Sequence, residues 1–269
     1  MTIPNRRLAT IIGATSLVAI CFVVIPPIAQ DPLYHVFADG RTLHNVPNFW
    51  NVVSNVPFFI VALYGIKALH ARRAFIEPWE RIAFCTFLAG TAAVGVGSIY
   101  YHLRPNDARL VWDRLPMTVV FMSLVPAVIG ERIGMKAGKL LLAPMILAGL
   151  GAVLYWRLSG DLRCYAMVQF GSMLAVPIVL ALFPSRYSNA GRMWWVVILY
   201  ALAKLAELLD HGIASVVTMG GHPWKHVAAA FAALLYVDAS ARRRPLQVRQ
   251  VSDGEPSFSA LLRRQGANQ

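Results

Sequence analysis

The hydrophobic pattern divides the chain into long apolar stretches that are joined by short polar connections. A helix needs about 20 predominantly apolar residues to cross the hydrocarbon core of a bilayer. Eight stretches approach that length, and the pattern therefore predicts an all-α, polytopic membrane protein. The predicted segments are Leu8–Ile28, Phe49–Leu69, Ile82–His102, Leu110–Gly130, Leu140–Trp156, Tyr165–Phe183, Trp194–Thr218 and Pro223–Ala239.

Composition supports a membrane location. Of the 269 residues, 57% are hydrophobic and only 14% are charged, against about 25% charged in typical soluble domains. The connections are too short for a second folded domain, so residues 1–241 are predicted to form a single helical membrane domain. Residues 242–269 are polar and rich in arginine, and we expect them to be a disordered basic tail.

The basic residues give a topology. The chain has 25 Lys and Arg against 13 Asp and Glu, a net charge of +12. The basic residues lie between the apolar segments and in the tail, and they form no patch with aromatic residues, which argues against nucleic-acid binding. With the N-terminus placed in the cytoplasm, 17 of them fall inside and 5 outside, so both termini are predicted to be cytoplasmic. The first segment is interpreted as a retained helix in preference to a cleaved signal peptide.

Three histidines are expected at one membrane depth, on the outer side. His222 and His226 are four residues apart at the start of the eighth segment, a spacing at which two imidazoles can bind one metal ion. His102 ends the third segment. Three histidine ligands with one open position are typical of a catalytic zinc site.

Further polar residues interrupt the same helix ends, although a charged group inside the membrane costs about 3 kcal/mol. Ser98 shares a helix face with His102, and Asp113 and Arg114 begin the next segment after a short connection. We expect these groups to be neighbours. Asp113 is a candidate for proton transfer, and a structural ion pair of Asp113 with Arg114 is the alternative.

The seventh segment carries a third polar group, in the sequence "AKLAELLDHG". Asp210 could orient a metal-bound histidine by accepting a hydrogen bond from its ring, and Glu207, His211 and Arg114 are further candidates around the metal. An internal ion pair of Lys204 with Glu207 is the alternative interpretation.

Three sequence blocks resemble the alkaline ceramidase family, which belongs to a wider group of membrane hydrolases that includes the adiponectin-receptor-like proteins. The blocks are "NFWNVVSN" (Asn48–Asn55), "SIYYH" followed by Asp113, and "HPWKH". The last block and the "AKLAELLD" helix look like prokaryotic members. The resemblance implies a seven-helix bundle over residues 49–239, with 8–28 as an extra leading helix. It also implies that His102, His222 and His226 bind zinc.

The same resemblance implies a zinc-dependent amidase that cleaves the N-acyl bond of a ceramide-like membrane lipid to a fatty acid and a sphingoid-type base. In a bacterial plasma membrane the substrate could be another lipid amide. Asp113 would take the proton of the attacking water and pass it to the amine. Ser98 would donate a hydrogen bond to that water or to the oxyanion.

Two questions stay open at this point. Eukaryotic members carry a calcium-binding acidic stretch before the first core helix, where this chain offers Asp39, Asn48 and Asn51 as candidate calcium or structural residues, so sites with and without calcium both stay open. A non-catalytic lipid receptor or binding protein with a structural metal is the main alternative function. A transporter and a haem protein are weaker alternatives, because few ionisable groups approach the midplane and the histidine pair shares one face.

Overall fold

A computed structural model describes residues 22–71 and 75–246, together with positions 7, 9, 10, 13, 16 and 20. Within these residues the chain is helical and forms no β-strand. A 3₁₀ turn, Pro32–His35, precedes nine α-helices. They are α1 (Phe49–Val53), α2 (Val56–Ala71), α3 (Pro78–Leu103), α4 (Asp107–Arg132), α5 (Met135–Ser159), α6 (Arg163–Leu182), α7 (Arg192–Leu208), α8 (Asp210–Ala214) and α9 (His222–Arg242).

The protein is a polytopic membrane protein. Among the described residues, five helical stretches are long and apolar enough to cross a bilayer: Phe49–Leu69 and the helices α3 to α6. The shorter helix α7, with 17 residues, and the more polar helix α9 pack beside them. Of the predicted first segment, Leu8–Ile28, positions 9, 10, 13, 16, 20 and 22–28 are described, and those up to Val24 are helical. Residues 247–269 of the predicted tail lie outside the described residues.

Most helices extend beyond the apolar segments that predicted them. Helix α3 begins four residues before Ile82, at a capping box in which Glu77 and Glu80 each accept from the other's backbone amide. Helix α4 begins after Asn106, whose side chain accepts a hydrogen bond from Arg109 N. Hydrophobicity marks the lipid-facing part of a helix, whereas polar caps set its ends.

Two predicted segments are interrupted. Phe49–Leu69 is divided at Ser54 and Asn55, next to Pro57, which cannot donate a backbone hydrogen bond to the preceding turn. Trp194–Thr218 is divided at Leu209, after which the chain turns into the short helix α8. Both interruptions lie at the end of the bundle that holds the three histidines, which we call the histidine end.

Six helices enclose the interior of the bundle. Helix α2 packs against α3 and α9, α3 against α4, α4 against α6, α6 against α7, and α7 against α9, which closes the ring. Helix α5 lies outside the ring against α4 and α6. Large apolar side chains such as Leu63, Leu140 and Leu147 are exposed, as expected for surfaces that face lipid.

Candidate metal centre

The three predicted histidines meet at the histidine end. His102 lies in the last turn of α3, and His222 and His226 lie in the first two turns of α9. All three are buried, and one ring nitrogen from each lies within 4.8 Å of the others. Each pair of ring centroids is 4.9 Å apart. The helices therefore bring together three neutral-nitrogen donors that could hold one metal ion.

The ring nitrogens are available for a metal. Among the described residues, neither Nδ1 nor Nε2 of His102 has a hydrogen-bond partner, and Nε2 of His222 has none. A buried polar group without a partner is costly, so an unpartnered nitrogen on both His102 and His222 fits a site built for an ion. Three histidines with an open fourth position suit catalytic zinc.

His226 is oriented by a residue of the first core helix. The hydroxyl of Ser54 donates to Asn51 O at 3.3 Å, and its oxygen lies 2.8 Å from His226 Nδ1. If the Ser54 hydroxyl donates to Asn51 O, its oxygen can accept the Nδ1 proton of His226. That tautomer leaves Nε2 unprotonated and able to bind a metal ion.

Asp210 fixes the start of α9. Its Oδ1 accepts from Gly221 N and His222 N, both at 2.8 Å, and its Oδ2 accepts from Ala38 N at 2.9 Å. A side chain at Gly221 would place its Cβ 2.1 Å from Ala206 O, so only glycine allows α9 to begin here. Asp210 therefore holds the backbone of His222, whereas the sequence predicted a hydrogen bond to an imidazole ring.

Residues 32–38 cover the histidines, and we call them the cap segment. The Phe37 ring contacts His102 and His222, with centroid distances of 4.8 and 4.6 Å. The Tyr34 hydroxyl donates to Glu207 Oε1 at 3.0 Å, and burial raises the pKa of this phenol well above its ordinary value. The Phe37 ring therefore covers the histidine cluster on this side.

Ser98 and Asp113 face one another beside the histidines. A Cβ at Gly97 would lie 2.0 Å from Trp112 O, so the backbones of α3 and α4 are in direct contact at this level. The adjacent Ser98 hydroxyl interacts with the Asp113 carboxylate, and both side chains are buried. The close helix contact thus places a hydroxyl and a carboxylate one turn from His102.

Two other predicted residues lie elsewhere. Arg114 is buried, donates to Gln30 Oε1 at 2.7 Å, and lies over the rings of Trp156 and Tyr165; an ion pair with Asp113 is not among its contacts. His211 is exposed, because the break at Leu209 reorients the chain before it. Arg114 supports the wall around Asp113, and His211 does not join the histidine cluster.

A cavity of about 190 Å³ extends from Ser98, Asp113 and His226 into the bundle. Its polar end carries Ser98, Asp113 and His226, whereas its length is mostly apolar. Such a space can take an apolar group between the helices, with its polar end beside His226. The apolar lining includes Phe58, Phe87, Val94, Met117, Phe121 and Val176.

Comparison with known families finds a match for most of the chain. Residues 41–250 match the family described as Ceramidase. The chain belongs to the ceramidase family. The matched region contains the three histidines, Ser98 and Asp113, and the family resemblance drawn from the three sequence blocks is confirmed. A search of curated proteins found no match. Family membership supports a ceramidase-like hydrolase acting on amide bonds.

Several contacts of this ceramidase-family site were not predicted. Ser54 lies in the block "NFWNVVSN", but no sequence signal pairs it with His226. Phe37 and Tyr34 come from an irregular segment without helical periodicity. Lys225, the residue before His226, was not predicted as part of the site, although it lines the cavity. These contacts depend on long-range packing, which a single sequence does not reveal.

The residues considered for calcium do not fit that ion, which takes six to eight oxygen ligands. The Asp39 carboxylate accepts from Arg41 Nε and Nη2, both at 2.8 Å. Asn51 Nδ2 donates to Asp39 O at 3.1 Å, and Asn48 Nδ2 donates to His102 O at 2.8 Å. A guanidinium thus already neutralises the acidic group, and it holds the pKa of Asp39 below its ordinary value.

We therefore expect calcium chelation to leave the thermal unfolding temperature unchanged, whereas Arg41→Met lowers it. Arg41→Met leaves the buried Asp39 carboxylate without its ion-pair partner, and an unpaired buried charge destabilises the fold. Asp39→Asn leaves a half-exposed guanidinium that water can solvate, so its effect is smaller. Unfolding of detergent-solubilised protein, with and without a calcium chelator, measures both effects. A large chelator-induced loss, or a larger loss for Asp39→Asn, would contradict this assignment.

Proposed function

We propose that this protein is a zinc-dependent lipid amide hydrolase that cleaves the N-acyl bond of a ceramide-like membrane lipid. The observation that carries the proposal is the buried group of His102, His222 and His226, of which His226 lines the polar end of an apolar cavity. Asp113 and Ser98 face the same cavity. A group that could bind a metal, a candidate acid–base group and an apolar space for part of an acyl chain therefore lie side by side.

The three histidines would hold the zinc ion. When bound, zinc supplies Lewis acidity and lowers the pKa of a coordinated water toward 7. Asp113 accepts the proton of the attacking water and later delivers a proton to the leaving nitrogen. The water oxygen joins the acyl carbon while the C–N bond breaks, which yields a carboxylic acid and an amine. Ser98 donates a hydrogen bond that orients Asp113 or stabilises the oxyanion.

The membrane supplies the substrate in this proposal. Large apolar side chains cover the outside of the bundle, and the cavity is lined by apolar side chains from the six enclosing helices. A lipid acyl chain can occupy this space while its amide lies beside the histidines. The excess of basic residues at the opposite helix ends favours cytoplasmic termini, with the histidine end on the outer side of a bacterial plasma membrane.

Hydrolysis in ¹⁸O-labelled water tests the reaction. The purified protein is incubated with N-oleoyl lipids, including ceramide, and the released fatty acid is measured by mass spectrometry. The proposal expects oleate with one ¹⁸O atom per turnover, since the water oxygen enters the new carboxyl group. A metal chelator should stop the release, and added zinc should restore it.

Two outcomes would overturn the proposal. Oleate without ¹⁸O would show that the acyl group is not transferred to water. Turnover that persists in protein shown to be free of metal would exclude the role given to the histidines. A heat-denatured sample serves as the control for spontaneous hydrolysis.

A further inference from the structure

A cluster of charged side chains lies at the polar end of the cavity and takes no part in the proposed chemistry. Glu207 Oε1 accepts from Lys225 Nζ at 2.8 Å, and Glu207 Oε2 accepts from Lys204 Nζ. Lys204 and Glu207 belong to α7, and Lys225 belongs to α9. The exposed fractions of the three side chains are only 24%, 12% and 13%, respectively. All three line the cavity.

The charges in this cluster do not balance. Two ammonium groups share one carboxylate, which leaves an excess of one positive charge in a largely buried place. Asp113 and Arg114 add one charge of each sign nearby without pairing with each other, and the buried Asp210 carboxylate is already satisfied by three backbone amides. Buried charge is costly unless it is paired, so the polar end of the cavity favours a negatively charged ligand group.

Lys204 and Lys225 also have N–H donors that Glu207 does not use. An ammonium group carries three N–H donors, and among the described contacts each lysine donates to Glu207. Glu207 holds both side chains at the cavity and is itself held by the Tyr34 hydroxyl. The remaining donors can bind an anionic oxygen without rearranging the cluster.

The cluster lies close to the reacting groups. Lys225 is the residue before His226 and lies three positions after His222 on the same helix. Its charge acts on Asp113 and on all three histidines. A ligand with its amide at the histidines would therefore place the next few atoms of its head within reach of the lysines.

We propose that the substrate is an N-acyl lipid whose amine portion carries an anionic oxygen group close to the amide, bound by Lys204 and Lys225. This inference rests on the proposed function and specifies its substrate class. The anionic group is a carboxylate, as in an N-acyl amino acid, or a phosphate. Water cleaves the C–N bond, and the products are a fatty acid and an amine that retains the anionic group.

Matched substrate pairs test this inference. N-oleoylglycine is compared with neutral N-oleoylglycinamide, and N-oleoyl phosphoethanolamine with neutral N-oleoylethanolamine. Each pair differs only in the anionic group. We expect kcat/KM to be about tenfold or more higher for the charged member, since a charge-assisted hydrogen bond has that effect. The two pairs also distinguish a carboxylate from a phosphate.

Variants then assign the preference to the lysines. Lys225→Met and Lys204→Met should each reduce the charged-to-neutral ratio of kcat/KM by about tenfold, mainly by lowering the value for the charged substrate. Lys225→Arg retains the charge and should keep most of the preference. Lys139→Met removes an exposed lysine at the start of α5 and should leave the ratio unchanged. Bound zinc and the unfolding temperature show which variants fold.

The outcomes separate this inference from the proposed function. If neutral amides or ceramide are cleaved as fast as the charged analogues, the substrate class is wrong and the hydrolase proposal stands. If the preference persists in both methionine variants, the lysines do not bind the anion. If no amide is cleaved by zinc-loaded protein, the proposed function fails, and this inference fails with it.

Discussion

Replacing His102 by alanine should remove the bound metal and abolish hydrolysis. His102 is fully buried and both of its ring nitrogens lack a protein partner among the described residues, so its loss takes away a candidate metal ligand without breaking a side-chain hydrogen bond. The loss of a residue that only hydrogen-bonds to a metal ligand already lowers metal affinity roughly 10- to 100-fold. Loss of a ligand itself should therefore exceed about 100-fold, measured by metal analysis after exchange against a competing chelator.

His211→Ala is the matched control for this substitution. His211 is exposed and lies outside the cluster, so the control should retain metal and turnover. A His102→Ala protein that keeps one metal ion per chain and full turnover would exclude the assigned ligand set. The unfolding temperature of the variant, with metal absent from both samples, separates metal loss from misfolding.

Asp113→Asn should lower turnover by roughly 10²- to 10⁴-fold, the usual contribution of a general acid–base group, while the metal remains bound. The amide keeps the size of the carboxylate and can still accept from Ser98, but it cannot take the proton of water. Single-turnover release of fatty acid, together with metal analysis of the same sample, measures both quantities.

Asp107→Asn provides the control on the same helix. Asp107 lies at the exposed start of α4, where it pairs with His35, and its substitution should leave turnover almost unchanged. If Asp113→Asn kept both metal and turnover, proton transfer by this residue would be excluded. If the unsubstituted protein bound lipid tightly but showed no turnover, it would be the non-catalytic lipid receptor that the sequence left as the main alternative.

The positions of the core helices could be predicted because the bilayer imposes a simple rule on sequence. Each segment from Phe49 onward contains a helix, since apolar length determines a spanning element. The break at Leu209 was not predicted, because it depends on Asp210 binding the backbone of Gly221 and the cap segment. Such a contact joins residues from three separate parts of the chain.

The histidines of the site were predictable from spacing and topology, whereas their surroundings were not. The separation of four residues places His222 and His226 on one face, and the predicted membrane depth adds His102. The Ser54 contact with His226, the Phe37 cover and the Lys204–Glu207–Lys225 cluster require knowledge of which helices are neighbours. The ion pair of Lys204 with Glu207 was foreseen, but its second lysine was not.

The central claim is that one metal ion at the three histidines drives lipid amide hydrolysis. Its most direct test is a zinc titration of chelator-stripped protein, with bound zinc and released fatty acid measured in each sample. We predict that turnover rises in proportion to bound zinc and reaches its maximum at one ion per chain. Full turnover without zinc, or zinc binding that leaves turnover at background for every N-acyl lipid supplied, would contradict the claim.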